Sequence, residues 1–128
     1  MKEQIRTDAA PSPFQGAPYS QAIKANGFAF VSGQVALRPG ESQLVPGGIA
    51  EQTEQVFANL RAILEAAGSS LEQIVKTTVF LQNFDDFAAM NEVYRRHVGS
   101  EPPARSTFEV AKLPSGALIE IEAVALLD

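Results

Sequence analysis

The amino-acid sequence predicts an α+β fold, with one mixed β-sheet of about six strands and two helices packed on one of its faces. Three observations predict it. The segments alternate as strands, helix, strand, helix, strand, strand. Two segments carry apolar residues at three- and four-residue steps, as a half-buried helix requires. The last two runs alternate apolar and polar residues around a Pro-Ser-Gly break, as strands with two different faces do.

In chain order, Lys2 to Thr7 reads as a short first strand, and Ala9 to Pro18, with Pro11, Pro13, Gly16 and Pro18, as an extended loop. Ile23 to Lys24 and Phe28 to Val31 form a strand pair turned at Asn26-Gly27, the strongest short hairpin signal. Ser32-Gly33-Gln34 ends the second strand, where a glycine marks a bulge or the close approach of another group. Arg38 to Gly48 is a polar loop.

Ile49 to Ala67 is the first helix, with Ile49, Val56, Phe57, Leu60, Ile63, Leu64 and Ala67 on one face and Gly68 as its stop. Ile74 to Leu81 is a strand apolar on both faces, with Val75, Thr77, Val79 and Leu81 on one side. Asn83 to Val98 is the second helix, capped by Asn83 or Asp85. Its apolar stripe is Phe84, Phe87, Asn91, Tyr94 and Val98, in which the amide of Asn91 needs a hydrogen-bond partner.

Ala104 to Val110 and Leu118 to Leu126 are the final strands. Arg105, Thr107 and Glu109 share one face of the first; in the second, Glu120 and Glu122 project opposite Ile119, Ile121, Ala123 and Ala125. A guanidinium on a rigid strand can grip a carboxylate through two parallel hydrogen bonds, and a glutamate can orient or activate water. The competing reading of these charges is a solvated sheet face with weak ion pairs. Two helices cover one face of such a sheet; the other still carries apolar side chains, so a second copy of the chain is expected on it.

Composition narrows the chemistry. A chain of 128 residues suits one domain. With no cysteine there is no thiolate nucleophile or disulfide, and His97 as the one histidine argues against a histidine-rich metal site and a Ser-His triad. His97 itself reads as a polar residue near a helix end, beside Arg95 and Arg96. A net charge of −5 argues against nonspecific nucleic-acid binding. No apolar run spans a bilayer and the N-terminus lacks a signal-peptide core, so a cytoplasmic location is the expectation.

The stretch PPARSTFEVAKLPSGALIEIEAVA resembles the C-terminal signature of the reactive intermediate deaminase (RidA, YjgF-type) family. GAPYSQA from Gly16 to Ala22, Ser32-Gly33-Gln34, the helix end Leu64 to Gly68, and Val75 to Leu81 are similar to it too, so the resemblance spans nearly the whole chain as a single domain, residues 1–128. It implies a chorismate-mutase-like fold assembled as a homotrimer around a central β-barrel, with sites in clefts between subunits. It further implies hydrolysis of enamines and imines released by pyridoxal-phosphate enzymes, such as 2-aminoacrylate and 2-iminobutanoate, to 2-keto acids and ammonia, a form of metabolite damage control that needs no metal or cofactor. By the same resemblance Arg105 binds the substrate carboxylate, Glu120 handles the attacking water, the main-chain carbonyl of Thr107 accepts a hydrogen bond from the substrate nitrogen, and Tyr19, Ser32, Gly33 and Asn91 line the cleft. The chain departs from the best-known members at Thr107, where they carry cysteine. A trimer that senses 2-keto acids without turnover, and a ribonuclease or translation inhibitor, are the alternative functions.

Overall fold

The computed structural model describes residues 1–128. Eight regular elements follow in order: β1 (Glu3–Ile5), β2 (Ala22–Ala25), β3 (Phe28–Gln34), α1 (Ile49–Ala66), β4 (Ile74–Leu81), α2 (Phe87–Val98), β5 (Ala104–Glu109) and β6 (Ile119–Leu126). The strands form one mixed sheet in the order β1-β2-β3-β6-β4-β5, in which β4 and β5 are parallel and every other pair is antiparallel. The expected architecture is therefore present. β6 lies between β3 and β4, so the last segment of the chain closes the middle of the sheet.

One face is covered by both helices. Ile119, Ile121 and Ala125 of β6 and Val79 and Leu81 of β4 are fully buried there, against Val56, Phe57, Leu60, Ile63 and Leu64 of α1 and Met90 of α2. Truncating a residue such as Leu60 to alanine costs about 2–5 kcal/mol in a core of this kind. The opposite face is open and mixed: Phe30, Phe108 and Leu126 are each more than two-fifths exposed, at 46%, 52% and 43%, beside Lys76, Thr78 and Glu122.

The structure corrects three details. A bulge between Ile74 and Lys76 breaks the alternation of β4, so Ile74 joins the buried face and Val75 is exposed. The second helix starts at Phe87; residues Phe84–Asp86 form a tighter turn, in which the Asn83 side chain accepts the Asp85 N–H at 2.9 Å. Its buried line is Met90, Val93, Tyr94 and Val98, rotated from the expected stripe, with Phe84 exposed and Phe87 and Asn91 half-buried. The long N-terminal loop also contains a short turn at Phe14–Gly16.

Buried amides staple the loops to this frame. Asn59 Nδ2 donates to the carbonyls of Val35 (3.1 Å) and Leu37 (2.9 Å), and Gln21 Nε2 donates to those of Thr7 (3.0 Å) and Pro11 (2.8 Å). Such loops bury main-chain groups that need partners, and side-chain amides supply them.

Candidate functional site

Residues in register on neighbouring strands share a face of the sheet. Arg105 pairs with Thr77, and Thr77 with Ala123, so Arg105 stands on the helix-covered face. Glu120 pairs with Phe80, and Phe80 with Phe108, so Glu120 stands on the open face. The candidate residues accordingly fall into two groups that one chain does not bring together.

The first group surrounds Glu120. A bulge between Val31 and Gln34 turns β3 so that Gly33 comes against the carboxylate: a Cβ at Gly33 would lie 2.6 Å from Glu120 Oε2. A cavity of about 50 Å³ adjoins Glu120, lined by Gly33, Tyr19, Phe14, Val35, Leu37 and Pro114 among others. A void of this size has room for a water molecule beside the Glu120 carboxylate. The amides of Asn59 and Gln21 fix its walls by holding Val35, Leu37 and Pro11. Tyr19 is 43% exposed, and its hydroxyl accepts the Phe14 N–H at 2.7 Å. Ser32 precedes Gly33 on β3 but does not line this cavity; its Oγ donates to the Ser20 carbonyl at 2.6 Å. Burial raises the pKa of Glu120 above the usual carboxylate value, and the like charge of Glu122, two residues along the same strand face, raises it further.

The second group surrounds Arg105. Its Nη1 donates to Asn91 Oδ1 at 2.8 Å, and its guanidinium carbon lies 4.7 Å from the Tyr94 ring centroid and 5.5 Å from that of Phe87. Asn91 thus finds its partner in a side chain. Thr107 follows on the same strand face; its Oγ1 is buried without a hydrogen-bond partner. β5 is an edge strand, so part of its main chain has no ladder partner within the chain. The contribution of Phe87 and Tyr94 escapes a sequence reading, although their spacing to Asn91 was visible, because that spacing also describes plain core.

His97 belongs to neither group. Its ring stacks on Phe57 at 4.6 Å and its Nε2 lies 2.6 Å from Glu54 Oε1, while Arg96 donates to Glu54 Oε2 at 2.9 Å, so this cluster clasps α1 to α2. The hydrogen bond from His97 is the main cause of a lowered Glu54 pKa. No group of three or more His, Asp or Glu side chains is arranged to hold a metal ion, and no helix is long and apolar enough to cross a membrane.

Comparison with known proteins matches residues 8–127 to the family model described as endoribonuclease L-PSP. A RutC family protein of Pyrococcus horikoshii is 52% identical over 125 residues, covering 98% of each chain. The mouse protein named 2-iminobutanoate/2-iminopropanoate deaminase is 43% identical, covering 98% of this chain and 92% of its own. The crystal structure of a Thermotoga maritima protein superposes with a TM-score of 0.94 at 48% identity, covering 100% of this chain and 99% of that one. With the motifs, the strand order and the near-complete coverage in agreement, the chain belongs to the endoribonuclease L-PSP family, which includes the RutC and Rid proteins.

Proposed function

We propose that this protein is a hydrolytic deaminase of reactive enamine and imine intermediates, such as 2-aminoacrylate and 2-iminobutanoate, and that its site forms between two chains of a homotrimer. The observation that carries this reading is the pairing of a fixed, half-buried guanidinium with a half-buried carboxylate beside a water-sized cavity, on opposite faces of one sheet. A four-carbon 2-imino acid cannot reach through a sheet, so it meets both groups only where Arg105 of one copy faces Glu120 of another. The exposed Phe30, Phe108 and Leu126 supply apolar contacts for that association. The name of the mouse relative supports the substrate class.

A protonated imine is already a strong electrophile, so the protein's task is to position it against water. Arg105 holds the carboxylate through its free N–H groups. Glu120 accepts a proton as water adds to the C=N carbon, forming a C–O bond and moving the C=N electron pair to nitrogen. The resulting carbinolamine is reprotonated at nitrogen by Glu120. Its C–N bond breaks as the hydroxyl gives its proton to the again-ionised Glu120 and the C=O bond forms, releasing a 2-keto acid and ammonia. The Thr107 carbonyl holds the nitrogen, and Tyr19, Ser32, Gly33 and Asn91 border the cleft. The substrates are small products of pyridoxal-phosphate enzymes.

Coupling to a threonine dehydratase tests this: 2-ketobutanoate forms faster when the protein is added. Binding of 2-ketobutanoate without acceleration would identify a sensor instead. RNA cleavage without acceleration would assign the chain the activity in its family's description.

A further inference from the structure

Asn91 is bordered by two aromatic residues on one edge of α2, with Phe87 four residues before it and Tyr94 three after. All three converge on Arg105. The strand is tied to the same edge, because Tyr94 Oη and Thr77 Oγ1 share a hydrogen bond of 2.6 Å and Thr77 is the ladder partner of Arg105. Phe57 packs edge-on against Tyr94, with ring centroids 5.5 Å apart, which holds the ring in place from α1.

We infer that Asn91, with Phe87 and Tyr94, forms a positioning cradle for Arg105, and that Asn91 acts on the ligand through the guanidinium without binding it. One of the five guanidinium N–H donors is committed to Asn91, and the rings limit how the plane can turn. The remaining donors then keep a fixed direction, so two parallel hydrogen bonds to a carboxylate form without first ordering a long side chain. A neutral amide suits this role because it accepts a hydrogen bond and leaves the positive charge uncompensated. The identity of the ligand as a 2-keto or 2-imino acid rests on the function proposed above; the cradle does not.

Two measurements separate these claims. In arginine side-chain NMR, wild type shows resolved, slowly rotating Nη protons for Arg105, and Asn91→Ala, a favourable change in a helix, averages them. Asn91→Asp keeps an acceptor and therefore the slow rotation, yet weakens anion binding because its charge offsets that of Arg105. Calorimetry with 2-ketobutanoate then closes a double-mutant cycle. Asn91→Ala and Arg105→Lys each raise Kd about tenfold or more, and the double variant binds no more weakly than Arg105→Lys alone. Multiplying effects in the cycle, or an Arg105 that stays slowly rotating in Asn91→Ala, would overturn the cradle. A wild type that fails to bind 2-ketobutanoate removes the proposed ligand, and the NMR comparison alone then decides the cradle.

Discussion

Arg105 and Glu120 stand on opposite faces of the same sheet, on strands separated only by β4. The guanidinium lies under α2, bonded to Asn91, while the carboxylate lies on the open side against Gly33. This relationship turns a question of chemistry into one of assembly.

Assembly is checked first by mass. Light scattering at micromolar concentration should give about 41 kDa, three times the 13.7 kDa chain, with Phe30, Phe108 and Leu126 of the open face covered by neighbouring copies. A stable 13.7 kDa species would contradict the shared site.

Glu120→Gln should lower turnover by about two to four orders of magnitude while leaving 2-ketobutanoate binding intact. It should also stabilise the fold at neutral pH. The folded-state pKa of Glu120 is raised by burial, then by Glu122, so the folded chain binds this proton more tightly than the unfolded one. The resulting stability is complete below the unfolded value near 4.5 and is lost as pH rises through the folded value. Thermal melts should therefore show the variant above wild type at pH 7, with the gap closing towards pH 4. A variant melting below wild type at pH 7 would show that the carboxylate is stabilised where it sits.

Gly33→Ala should cost activity with little loss of secondary structure. The backbone at Gly33 is not left-handed, so alanine is tolerated there; the obstacle is the carboxylate, which the new Cβ would meet at 2.6 Å. A displaced Glu120 should reduce kcat about tenfold or more, since small displacements of a catalytic group are expensive. Unchanged kcat would mean that Glu120 does not work from this position.

Arg105→Lys should lose most activity, because an ammonium cannot reproduce the fork. Thr107→Cys and Thr107→Ala should be shallow by comparison, since the contribution of Thr107 is its main-chain carbonyl. The hydroxyl is buried and unpartnered, so Thr107→Val should raise the melting temperature while keeping activity. If Thr107→Ala is as inactive as Arg105→Lys with an intact circular dichroism spectrum, the hydroxyl takes part in the reaction.

Much of the fold was legible because local signals agree with it. Asn26-Gly27 turns the β2–β3 hairpin, the α1 stripe from Val56 to Leu64 is buried as its spacing requires, and Ile119 to Ala125 alternate inward. The bulge at Val75 was not legible, since a single extra residue leaves no compositional mark. Nor was the rotation of α2. Phe84 and Phe87 look like core by type, yet they stack on each other at 4.9 Å at the edge of the domain, and Phe87 also lies against Arg105. The residue types at the site could be read along the strands. Their division between two faces could not, because it follows from β6 pairing with β4, a register set by long-range packing.

The most direct test of the account mixes two inactive chains. Arg105→Ala and Glu120→Gln proteins are co-expressed at equal levels, and the purified trimers are assayed with threonine dehydratase. If each site takes its arginine from one chain and its glutamate from the next, random head-to-tail trimers should regain about a quarter of wild-type activity. Mixed trimers as inactive as either parent, alongside an active wild type, would contradict a site built from two chains.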